Sequence, residues 1–135
     1  MHVDRNILSA DGGIPNDFIE IVDLVEKATK DKRINWVEDP PGSEKIIIRF
    51  ERFQIALWLE EVEAPDLSEV NVWGTVFFEV QSNEGHPVGG ICVNLYVGNP
   101  TLVGKRLDKL YYDAFTQARN LNNALKQIEQ ELRNK

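Results

Sequence analysis

The chain has 135 residues, 42% hydrophobic and 27% charged, with 15 Lys and Arg against 22 Asp and Glu, a formal net charge of −7. That length fits a single domain of roughly 100–150 residues, and the ordinary, evenly spread hydrophobic content excludes wholesale disorder. The acidic balance argues against nucleic acid, and apolar runs as short as Ile46 to Ile48 are far below the roughly 20 residues of a membrane span.

Residues 1–14 are polar and glycine-containing, with Ile7, Leu8 and Ile14 isolated, and read as a flexible N-terminal arm ahead of a domain over 15–135. No apolar segment with a small-residue cleavage site marks this end, so a cytoplasmic location is expected. From Asn16 to Lys30, Phe18, Ile21, Val22, Val25 and Ala28 recur at helical spacing, with Asn16 or Asp17 as cap and Lys30, Lys32 and Arg33 at the C-terminal turn. Beyond Ile34 the period falls to two. Strands are expected at Ile34–Glu38, stopped by Pro40-Pro41-Gly42, then at Glu44–Phe50 and Phe53–Val62 as a hairpin about Glu51 and Arg52. Ala64–Glu69 reads as a loop, followed by strands Val70–Gln81 and Val88–Val97, with Gly89-Gly90 at a bulge or close approach. Thr101 or Asn99 then caps a helix whose apolar steps of three and four reach Leu132. Uninterrupted, it would be about 50 Å long, so a break is expected at Asn120–Asn123. The fold class is α+β: N-terminal helix, antiparallel meander of four to five strands, long broken C-terminal helix, in the order αβββββα.

Alternation sends an aliphatic set, including Ile46, Ile48, Leu57, Val76, Phe78, Ile91 and Val93, to one sheet face. The other face receives Ile47, Trp58, Trp73, Phe77 and Tyr96 with polar neighbours. These five are the candidate partner-binding residues, because aromatics rimmed by polar groups suit interfaces. Coverage of that face by the arm or the last helix is the competing expectation.

Catalytic signatures are missing. Gly98 to Lys105 imitates a phosphate-binding loop but has five residues between its glycines and Arg106 in place of Ser or Thr. His86 reads as a solvated turn residue and Cys92, between Ile91 and Val93, as a buried thiol. One cysteine excludes an intramolecular disulfide, and Cys92, His2 and His86 have no zinc spacing. The acidic group Glu60, Glu61, Glu63, Asp66 and Glu69 reads as solvated charge at a strand end. No catalytic residue, metal or cofactor is assigned.

The helix Phe18–Lys30 leading into Ile34-Asn35-Trp36, and the ending Leu110–Arg119 with Ala124–Leu132, resemble small uncharacterised bacterial α+β proteins, often phage- or mobile-element-associated. Those proteins carry Gly at the helix break, where this chain has Asn120–Asn123. The resemblance implies a compact α+β domain and no activity. The expected function is a non-catalytic cytoplasmic interaction module of the immunity, chaperone-like or regulatory kind, with a protein partner or a second copy and neither nucleic acid nor membrane. The alternative is a small-molecule-binding domain or enzyme with a pocket between sheet and helices, where Trp36, Tyr111 or Tyr112 would stack a ligand.

Overall fold

The computed structural model describes residues 6–61, 72–98 and 100–135. Its elements are β1 (Ile7–Ser9), α1 (Asn16–Lys30), β2 (Val37–Glu38), β3 (Ile46–Arg49), β4 (Phe53–Glu61), β5 (Val72–Ser82), β6 (Pro87–Tyr96) and α2 (Leu102–Arg133). The fold is α+β, with the N-terminal and long C-terminal helices expected. The sheet, however, has six strands among the described residues, ordered β1-β6-β5-β4-β3-β2, and is mixed rather than antiparallel. β2 to β6 form the antiparallel meander, and β1 adds a parallel edge with Ile7 opposite Gly90 and Ser9 opposite Cys92. Part of the expected arm is therefore a strand, extended by Ala10 N donating to Cys92 O at 2.7 Å. Three residues are too few for alternation to register. The expected loop at 64–69 lies outside the described residues.

The first meander strand is also shorter than expected, because Trp36 turns into the core instead of staying in the ladder. Its indole is 1% exposed and donates to Thr29 Oγ1 at 3.0 Å, while that hydroxyl donates to Val25 O at 2.7 Å. Neither Asn16 nor Asp17 caps α1; Pro15 occupies the cap position without a side-chain hydrogen bond. Thr101 does cap α2, accepting from Gly104 N at 2.9 Å.

Both helices cover one face of the sheet. Val22 and Val25 of α1 and Leu107, Leu110, Ala114 and Ala118 of α2 share a core with Ile46, Ile48, Leu57, Val76, Phe78, Ile91 and Val93. Arg106 ties the helices together, donating from Nε to Glu26 Oε1 at 2.7 Å and pairing with Asp23. Helix α2 runs unbroken through Asn120–Asn123, against expectation. Each asparagine costs only some tenths of a kcal/mol relative to Ala, and without Gly or Pro a helix anchored by its first half propagates. The overlength is resolved by protrusion: beyond Ala118, every side chain except Arg119 and Asn122 is exposed.

Candidate functional site: the sheet face opposite the helices

Strand register builds this face in rows. Ile47, Ala56, Glu79 and Gly90 lie side by side, Trp58, Phe77 and Cys92 form the next row, and Glu60, Thr75 and Asn94 the one after. Of the five residues singled out from sequence, Trp58 and Phe77 are brought together in this row, Trp73 and Tyr96 meet at a separate recess, and Ile47 joins neither pair. Trp58 and Phe77 are direct cross-strand partners, both half-buried, with rings stacked 4.9 Å apart at 9°. Such a pair contributes about 0.5–1.5 kcal/mol beyond its buried area. Ile47 is 1% exposed and belongs to the interior of the face. Trp73 leaves the row because the register shifts between Val72 and Gly74; it lines a separate recess with Tyr96, Pro100, Lys105 and Asp108.

Tyr96 is held rather than presented. Its hydroxyl donates to Asp11 Oδ2 at 3.0 Å, which raises its pKa, with burial a second cause. Asp11 also accepts from Asn94 N at 2.8 Å and Asn94 Nδ2 at 2.9 Å, and Thr75 Oγ1 donates to Asn94 Oδ1 at 2.9 Å. The turn after β1 is thereby locked across β6. The same carboxylate adds to burial in pushing the Cys92 thiol up, the opposite of what a nucleophilic thiolate needs. On the other flank, three polar side chains are buried in a chain of bonds: Gln54 Nε2 donates to Gln81 Oε1 at 2.8 Å, and Gln81 Nε2 to Glu79 Oε1 at 2.7 Å.

Around the stacked pair, Ile7, Lys45, Trp58, Glu60 and Phe77 line a surface recess of about 460 Å3. Lys45 Nζ sits 5.9 Å from the Trp58 ring centroid, within cation–π range. Trp58 Nε1 donates to Glu60 Oε1 at 3.2 Å. The result is an apolar floor between one cation and one anion. Sequence reading missed Lys45, which the alternation that sends Ile47 to this face also places here, just ahead of β3, and Asp11, which reaches it from the arm without any local pattern. Trp36 and Tyr111, proposed as ligand-stacking groups, are core residues 1% and 8% exposed, and Tyr112 is 68% exposed. His86 is a solvent-facing turn residue near Glu84, at 3.8 Å. Glu60 and Glu61 are exposed; Glu63, Asp66 and Glu69 lie outside the described residues.

No family model, curated protein or solved structure matches the chain. Among the described residues, no helix is long and apolar enough to cross a membrane.

Proposed function

We propose that this chain is a non-catalytic protein-interaction module, of the immunity, chaperone-like or regulatory kind, whose contact point is the Trp58–Phe77 recess. The observation that carries this reading is the half-buried ring stack between Lys45 and Glu60 on the face away from both helices. A partly exposed aromatic anchor with a charged rim has the anatomy of a binding hot spot, where truncation typically costs 2 kcal/mol or more. The fitting partner is a protein segment that offers one apolar side chain to the rings and charged groups to Lys45 and Glu60. A cytoplasmic setting goes with the proposal, since a lone cysteine stays reduced there.

Affinity capture with the tagged full chain, followed by titration calorimetry on the captured protein, tests the proposal. The expected result is a stoichiometric partner whose binding weakens by about 2 kcal/mol or more in Trp58→Ser and also falls in Lys45→Glu, with the fold unchanged by circular dichroism. A partner bound equally by wild type and both variants would sink the proposal. So would the absence of any stoichiometric protein together with a small molecule that raises the melting temperature.

A further inference from the structure

Within the body, α2 buries Gly104, Leu107, Leu110, Tyr111, Ala114 and Ala118, and all but Leu110 follow alternating steps of three and four. The same alternation continues through Leu121, Leu125, Ile128 and Leu132, which are 41%, 55%, 51% and 68% exposed. A three-four repeat of large aliphatics on an exposed helix has the spacing of a coiled-coil seam. We propose that two copies of the chain associate by pairing these α2 extensions antiparallel.

The stripe is complementary to itself when reversed. A dyad between Lys126 and Gln127 sets Leu121 against Leu132 and Leu125 against Ile128 of the second copy, so every layer joins two large aliphatics. The flanks agree. Glu129 then meets Asn122, Glu131 meets Ala124, and no like charges oppose each other; Glu129 is already paired with Arg133 of its own helix at 2.6 Å.

Orientation follows from the body. Where the stripe leaves it, Val37, Pro41, Ala118, Leu121 and Leu125 line a recess of about 150 Å3. An antiparallel partner delivers its Leu132 there, whereas a parallel one would bring both bodies to the same level of the seam. Charge favours the same arrangement. Residues 121–135 carry Lys126, Arg133 and Lys135 against Glu129 and Glu131, a net +1; with −7 overall, the remainder holds −8. Arg133 and Lys135 of each copy then approach the recess of the other where Glu38 forms part of the lining.

The seam spans about 17 Å, and four side chains per copy are too few to bury the roughly 800 Å2 per partner of a stable interface. Association is accordingly reversible and concentration-dependent. The helices are already formed, so little ordering cost opposes it.

Sedimentation velocity of the full chain over a wide concentration range gives the first test. The sedimentation coefficient should rise with concentration in wild type and stay monomeric in Leu125→Glu with Ile128→Glu. Far-UV circular dichroism should not change, and melting temperatures should agree at concentrations where wild type is monomeric, because these side chains lie outside the core. A wild type monomeric throughout overturns the proposal, as does a dimer that survives in this variant or is lost instead in Trp58→Ser with Phe77→Ser. Orientation is tested in a Cys92→Ser background with a short bismaleimide. A mixture of Asn122→Cys and Glu129→Cys chains should cross-link to dimer and each variant alone should not; cross-linking no greater in the mixture overturns the antiparallel arrangement.

Discussion

Glu38 and Arg119 show how single side chains close this fold at its weakest edge. β2 is two residues long, yet Glu38 accepts from Gly42 N at 3.0 Å through Oε1 and lies 2.6 Å from Arg119 Nε through Oε2. The N–H does not point at that oxygen, so the contact is an ion pair without a hydrogen bond. Arg119 also lies over Phe115, at 5.0 Å, and Phe115 stacks on Tyr111 at 5.7 Å. Tyr111 in turn donates to Glu44 O at 2.6 Å. Burial, with the Glu44 carboxylate as second cause, pushes the Tyr111 phenol from 10.0 up to about 12. The native state thus keeps a proton that the unfolded chain begins to release near pH 10. Stability should be unaffected by this group below that pH and should fall as pH rises from 10 towards 12. In Tyr111→Phe, denaturant titrations should show a shallower alkaline decline. At neutral pH the lost hydrogen bond costs about 0.5–1.5 kcal/mol. A variant that declines as steeply as wild type across that window contradicts this account.

At the scale of elements, β5 and β6 approach closely at Gly90. A Cβ built on Gly90 would lie 2.5 Å from Phe78 O and 2.9 Å from Glu79 Cα, both backbone atoms that cannot swing aside. Gly90→Ala should therefore destabilise the domain by about 1–3 kcal/mol, as overpacked sites do, read as a lower denaturation midpoint. Gly89→Ala, whose Cβ would meet nothing closer than 3.5 Å, should cost less; equal losses would show that close approach is not the reason. The Gly-Gly pair was legible in sequence, as were β3 to β6, because alternation reports which side chains are buried; of the five residues expected in the first meander strand only Val37 and Glu38 pair. The same alternation placed Trp58 and Phe77 on one face, and register then made them neighbours. It failed for Trp73, since a bulge shifts the phase without leaving a compositional mark. β1 was illegible because three residues carry no period and its bonds are to distant β6. The break expected in α2 rested on asparagine propensity, a weak preference that a helix nucleated by the core overrides.

At the scale of the whole molecule, one layer of helices leaves two unlike surfaces. The Trp58–Phe77 recess sits on the sheet, and the leucine stripe extends beyond it on α2; their linings share no residue. Groups without common partners usually contribute additively, within about 0.5 kcal/mol, so the two surfaces should be separable. Trp58→Ser with Phe77→Ser should leave the monomer–dimer equilibrium unchanged while weakening a captured partner. Leu125→Glu with Ile128→Glu should do the reverse. All four substitutions together should show the two losses independently when sedimentation and calorimetry are run on the same samples. Loss of partner affinity in the helix variant alone would mean that the partner recognises the paired form, with each copy completing the other's binding surface. The concentration dependence of partner binding would then follow that of dimerisation, and a partner affinity that does not change with chain concentration is what independent surfaces require.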